Sequence, residues 1–245
     1  MLDDSSNRLI WIAVGLALIF GIFETYNGTI PKILESVTST TQASIPVEHT
    51  AYAYSADGTD RFSTINPNLN LMNFKTNLTV GKYLDWLSGV KMTNNVSRAT
   101  FDYISVIPEK TYTINSDWDK TSAFSIFAFT DKTDAQATYI YDGPSNKWMS
   151  LSISRFVNRK TTFTIPEGIH YIRMSYLSVN GTNTLTLNDL LNSETKLEEG
   201  STATTWMPSA SEVQDSDYPT YVGTYTDHNQ SASNDPTKYT WKKRG

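Results

Sequence analysis

The chain has 245 residues, 39% of them hydrophobic and 12% aromatic but only 18% charged, with 14 Tyr and 6 Trp. That length fits one large or two small domains with a real core. The excess of hydroxyl, β-branched and aromatic side chains suits pleated sheets and argues against wholesale disorder. A net charge of −5 speaks against nucleic-acid binding, and the absence of Cys removes disulfide frameworks, Cys-ligated zinc, iron–sulfur clusters and thiol nucleophiles. The three histidines, His49, His170 and His228, are too far apart in the chain to form an HxxxH-type ligand pair.

From Leu9 to Phe23 the chain reads LIWIAVGLALIFGIF, every residue apolar or Gly, bracketed by Arg8 and Glu24. It has no amphipathic period, so a helix here must hide all its faces from water. With Trp11 and Tyr26 as interfacial aromatics the run stretches to about 18 residues, the lower limit for crossing a bilayer. It reads either as an uncleaved membrane anchor or as a buried helix in an oligomeric bundle. Asp3 and Asp4 ahead of it, and no A-x-A site behind it, argue against a cleaved signal peptide. Pro31 then opens a second, short amphipathic helix with Ile30, Ile33, Leu34 and Val37 at helical spacing, followed by a polar linker, TSTTQASI, to Ile45.

Beyond Pro46 the pattern changes to short runs bounded by turn residues. Strands are expected at 99–107, 122–130, 137–141, 148–154, 160–165, 169–177 and 183–187. Phe101, Tyr103, Ser105 and Ile107 alternate onto one face of the first. In the second, Phe124, Ile126 and Ala128 oppose Ser125, Phe127 and Phe129. Both of its faces are therefore apolar, which predicts a central strand. Turn signals fall between these runs: Pro108-Glu109-Lys110, Asp142-Gly143-Pro144, Pro166-Glu167-Gly168 and Asn180-Gly181, the last a strong hairpin signal. This spacing predicts an antiparallel β-sandwich of jelly-roll type, with helix confined to the N-terminus and to 187–191.

The string KLEEGSTATTWMP, Lys196 to Pro208, resembles the closing strand of carbohydrate-binding-like jelly rolls in tail and baseplate proteins from phages of lactic-acid bacteria and streptococci. The stretches Thr162-Phe163-Thr164-Ile165-Pro166-Glu167-Gly168 and Tyr171-Ile172-Arg173-Met174 are similar to the same family, whose form is a strand, a P-x-G turn and a strand carrying Arg. Thr205 stands where the family usually has Pro before the Trp. Residues 49–64 and 218–245 look like the two halves of a small β module found in such tail proteins. The resemblance implies a discontinuous module, 46–65 with 213–245, interrupted by a jelly roll at 66–212 and preceded by the helical segment 1–45. Insertion at a loop tip is inexpensive because closure entropy grows only logarithmically.

The expected function is that of a phage or prophage structural protein adhering without catalysis to a host cell-surface saccharide. Its expected partners are cell-wall or capsular polysaccharide, other virion proteins and further copies of the chain. No nucleic acid is expected, and a membrane would be met through Leu9–Phe23. The virion tail and the host membrane or surface both stay open as its location. The alternatives are a membrane-anchored prophage surface protein and a decoration domain without ligand. Pyranose faces stack on aromatic rings while their hydroxyls need planar polar side chains. The site residues expected from this chemistry are Trp118, Trp148, Tyr141, Tyr139, Asp117, Asn146 and Arg173, with Trp86, Tyr176, Asp142 and Arg155 as further candidates. Trp206 is assigned to packing in the closing motif, and Tyr239 and Trp241 to packing in the small module. No cofactor is expected; a structural Ca²⁺ would draw on Asp117 and Asp119 or on Asp131 and Asp134. No G-x-S-x-G elbow is present, and sequence alone does not converge two carboxylates as glycoside hydrolysis requires.

Overall fold

The computed structural model describes residues 32, 45–116, 121–151, 157, 160–178 and 184–245. Lys32 aside, the two expected N-terminal helices and the linker lie outside the described residues, as do Asp117, Trp118, Asp119, Arg155 and the Asn180-Gly181 turn. Among the described residues no helix is long and apolar enough to cross a membrane. The described residues are mainly β with little helix. Two compact units are formed by residues 45–50 with 224–240 and by residues 51–223 with 241–245.

The strands are β1 (Val47–Ala53), β2 (Leu78–Leu84), β3 (Met92–Phe101), β4 (Ile104–Ser105), β5 (Thr111–Asn115), β6 (Thr121–Phe129) and β7 (Tyr139–Asp142). They continue as β8 (Lys147–Met149), β9 (Lys160–Thr164), β10 (Tyr171–Ser178), β11 (Lys196–Glu199), β12 (Tyr221–Asp227) and β13 (Thr240–Lys243), with helix α1 (Leu187–Leu191) before β11. A seven-stranded sheet runs β2-β3-β10-β6-β7-β8, with β4 paired to β10. A three-stranded sheet runs β11-β5-β9, and another runs β1-β12-β13. All pairings within the first two sheets are antiparallel.

The first two sheets share one apolar cluster. Phe101 of β3, Phe124 and Ile126 of β6, and Ile172, Met174 and Tyr176 of β10 meet Tyr112 and Ile114 of β5, Phe163 of β9 and Leu197 of β11. The alternation along β6 sends Phe127 and Phe129 to the other side of the seven-stranded sheet. There they form a second cluster with Leu84, Ala137 and Ile140. Apolar on both faces, β6 sits between β10 and β7, the interior position its pattern demands.

Three local departures have physical causes. The strand expected over 99–107 stops at Phe101 and resumes as β4. Asp102 turns its carboxylate onto the amide of Tyr103 at 2.8 Å, and its own amide donates to the Asn77 carbonyl at 2.8 Å, outside the ladder. The buried phase therefore runs Phe101, Ile104, while Ile107 is exposed. In the strand expected at 183–187, residues 184–186 form no strand, although the Leu185 amide donates to the Val96 carbonyl at 2.8 Å, and Leu187 opens α1. The Thr186 hydroxyl accepts from the Asp189 amide at 3.2 Å, and the Asp189 carboxylate accepts from the Thr186 amide at 3.0 Å, forming a capping box. Third, β5 was not expected. Its buried Thr113 is satisfied by the Thr162 hydroxyl at 3.0 Å and the Gly200 carbonyl at 2.7 Å, which lets a hydroxyl-rich run serve as an inner strand.

Candidate saccharide-binding surface

Four of the expected site residues come together on the β7–β8 hairpin. Tyr141 faces Trp148 across the ladder, Tyr139 lies two residues back on the same face, and Asn146 sits in the turn. The turn is closed by Ser145, whose amide and hydroxyl both donate to the Asp142 carboxylate, and Asn146 takes a left-handed φ of +54°. This geometry points the rings inward. Tyr141 is 2% exposed, its ring 5.1 Å from Trp148 and 5.3 Å from Phe163, and burial raises the pKa of its phenol. Its hydroxyl donates to the Asn146 side chain and to the Thr162 carbonyl. Trp148 is half-buried, edge-on to Phe163, and its indole N–H donates to the Thr164 carbonyl of the facing sheet at 2.7 Å. Tyr139 packs half-buried against the same core. The expectation that Tyr141 stacks on a sugar is therefore corrected, because its faces are taken by neighbouring rings. Trp148 closes the edge of the two layers with only part of its ring in solvent.

Arg173 is also corrected. It projects from β10 beside Phe127, is 3% exposed, and donates through Nη1 to the Val90 carbonyl at 3.2 Å. Its guanidinium lies 4.9 Å from the Tyr103 ring centre, with Nε 3.8 Å from the Asp102 carboxylate. It anchors the β2–β3 loop and offers nothing to solvent. The outer face of the seven-stranded sheet, where a shallow sugar groove would lie, is filled at this point by Leu84, Phe127, Phe129 and the loop itself.

The other candidates divide. Tyr176 is fully buried and inaccessible to a ligand. The Asp131 carboxylate accepts from the Thr133 amide at 2.9 Å, and the Asp134 carboxylate accepts from the amides of Thr130 and Asp131 at 2.9 Å each, so both close their own loop. Among the described residues no group of three His, Asp or Glu is placed to hold a metal ion.

The KLEEGSTATTW string is explained by packing. Lys196 and Glu198 are both 1% exposed and lie 3.2 Å apart. The Lys196 ammonium donates to the Thr204 hydroxyl at 2.6 Å and the Thr205 carbonyl at 2.8 Å, while the Glu198 carboxylate accepts from the Thr204 amide at 2.8 Å and hydroxyl at 2.5 Å. Burial pulls the Lys196 pKa down, and Glu198 opposes that pull. The spacing that makes the string recognisable is thus that of a buried ion pair closed by Thr204. Trp206 is half-buried beside it, in keeping with a packing role.

Among the described residues the most exposed Trp, Tyr or Phe ring is elsewhere. Trp86 is 38% exposed in the loop joining β2 and β3, next to Leu87 at 68%. Its ring centre is 6.1 Å from that of Tyr83, the planes tilted by 32°. Sequence alone could find Trp86 as a candidate but could not rank it above the other indoles, because a Trp in a short polar stretch looks the same whether its ring lies in or out.

No protein-family model matches the chain, and no curated protein matches it. One solved structure is similar. It is the tripod (BppUct-A-L) from the baseplate of bacteriophage Tuc2009, at 22% identity and a TM-score of 0.40, covering 82% of this chain and 79% of that one.

Proposed function

We propose that the protein is a phage or prophage structural protein of the tail or baseplate type that binds a host cell-surface saccharide without chemically altering it. The observation that carries this reading is an aromatic side chain, Trp86, left 38% exposed on a hydrogen-bonded loop of a two-layer antiparallel sheet module. The KLEEGSTATTW resemblance supports the tail-protein class. A role without catalysis is supported by the carboxylates of Asp131, Asp134 and Glu198, each engaged in closing local structure. The strand order β1-β12-β13 supports a jelly roll inserted between the halves of a small β module. Membership of the virion with several copies per particle fits weak single-site stacking, since valency multiplies it.

The test is binding of the full-length protein to purified cell-wall and capsular polysaccharides of lactic-acid bacteria and streptococci, with reducing ends assayed in parallel. Saturable binding with no new reducing ends is expected. Release of reducing ends would replace adhesion by hydrolysis, and absence of binding to every polysaccharide would leave the spacer alternative.

A further inference from the structure

We infer that the saccharide contact is the β2–β3 loop, where Tyr83 and Trp86 form a two-ring platform for consecutive sugars within a polysaccharide chain. This rests on the adhesion reading and goes beyond it by naming the surface and the form of the ligand.

The loop is fixed from within. The Asp85 carboxylate accepts from the amides of Leu87 at 3.0 Å and Ser88 at 2.8 Å and from the Ser88 hydroxyl at 2.6 Å. The Ser88 hydroxyl oxygen in turn accepts from the amides of Val90 and Lys91 at 3.1 Å each. From below, Arg173 holds the Val90 carbonyl and the Ala137 amide holds the Ser88 carbonyl at 2.7 Å. Gly89, at a φ of +68°, lies so close to Phe127 that a Cβ there would come within 2.6 Å of the ring. Trp86 and Leu87 therefore keep 38% and 68% of their surface exposed on a loop that has no slack to bury them further. Presenting apolar surface in a rigid, prepaid geometry is what a stacking site needs, because little ordering entropy is left to lose on binding.

The geometry points to a chain. Ring centres 6.1 Å apart, with planes only 32° from parallel, let two linked sugars each meet one ring. By the two-residue alternation of strands, Lys91 and Thr93 share the face of Tyr83, with Thr93 directly opposite it in the ladder. The Arg98 guanidinium lies 5.3 Å from the Tyr83 ring centre, over one face of that ring. A single sugar fills one ring; two linked sugars fill both.

The experiment titrates the full-length protein and its Trp86→Ala and Tyr83→Ala variants with one purified cell-wall polysaccharide and with its single-sugar, disaccharide and longer fragments. Binding is read by calorimetry and intrinsic fluorescence, and Ile107→Ser, a remote exposed position, serves as control. Each ring variant is expected to lose about tenfold in affinity or more while keeping the wild-type unfolding curve, and affinity should rise from single sugar to disaccharide. Should Tyr83→Ala perturb folding, Tyr83→Leu keeps the packing and removes the ring. Wild-type affinity in Trp86→Ala would overturn the inference and leave adhesion standing. Equal affinity for single sugars and longer fragments would overturn the two-ring platform. If the wild-type protein binds no polysaccharide, adhesion and platform fall together. Loss of virion assembly in Trp86→Ala with glycan binding intact would make the loop a protein contact instead.

Discussion

Lys196 and Glu198 show how much depends on individual side chains. Their charges are sealed from water, and each is held by Thr204 as well as by the other. Removing one partner strands the other in a low-dielectric interior, whereas replacing both by apolar groups removes the desolvation cost together with the attraction. Lys196→Met alone is expected to lower stability by about 3–5 kcal/mol, and Lys196→Met with Glu198→Leu to recover most of it. Denaturant unfolding of the two variants decides the matter, and a double variant as unstable as the single would disprove the coupling. Asp57 lies at the exposed end of the range. The Ser55 hydroxyl, then the Thr59 amide and hydroxyl, hold its carboxyl down at about 2. A carboxyl depressed on folding stabilises its loop fully above the ordinary carboxylate range, and that contribution is lost as pH falls through about 2. Amide exchange at Thr59 should quicken over this acid interval, and Asp57→Asn should abolish the pH dependence. An unchanged acid profile in Asp57→Asn would assign the transition to another group.

At the scale of elements, the β2–β3 loop is fixed by short contacts around its partly exposed Trp86. Gly89 is required twice over, by its left-handed φ and by its approach to Phe127. Gly89→Ala is expected to cost about 1–3 kcal/mol through strain and overpacking. It should also weaken saccharide binding by loosening Trp86, although no ligand-facing group is altered. Thermal unfolding combined with the polysaccharide titration checks both effects, and full stability in Gly89→Ala would show that the loop is not clamped from below. Elements with strict patterns were readable from the chain. The two-faced apolar run of β6 encodes its structure locally, whereas the cap formed by Thr186 and Asp189 lies partly in a run that reads as a strand. Elements such as β5 were not, since Thr111 and Thr113 become strand residues only when Thr162, Thr164 and Gly200 arrive to pair with them.

For the whole molecule, adhesion by a shallow aromatic platform implies weak single contacts and strong collective ones. Immobilised at high density, the protein should hold a polysaccharide about 10²–10⁴-fold more tightly than at low density, the gain coming from effective concentration alone. Surface plasmon resonance at graded densities measures this, and density-independent affinity would rule it out. The same consideration favours a site on a loop over one on the sheet face, because the face is already spent on a second apolar cluster around Phe127 and Phe129.

The sequence by itself determined that the central chain is antiparallel β, that β6 is an inner strand, that 187–191 is helical and that aromatic side chains are abundant enough for stacking. Those properties follow from alternation, turn residues and composition, which act between near neighbours. Only the tertiary structure decided which rings face water. Tyr141, Tyr176 and Arg173 carry the same chemistry as exposed ligand residues, yet they are buried because partners distant in sequence close over them: Phe163 on Tyr141, Phe101 on Tyr176, Val90 on Arg173. Trp86 keeps part of its ring in solvent because Asp85, Ser88 and Gly89 fix the loop that carries it.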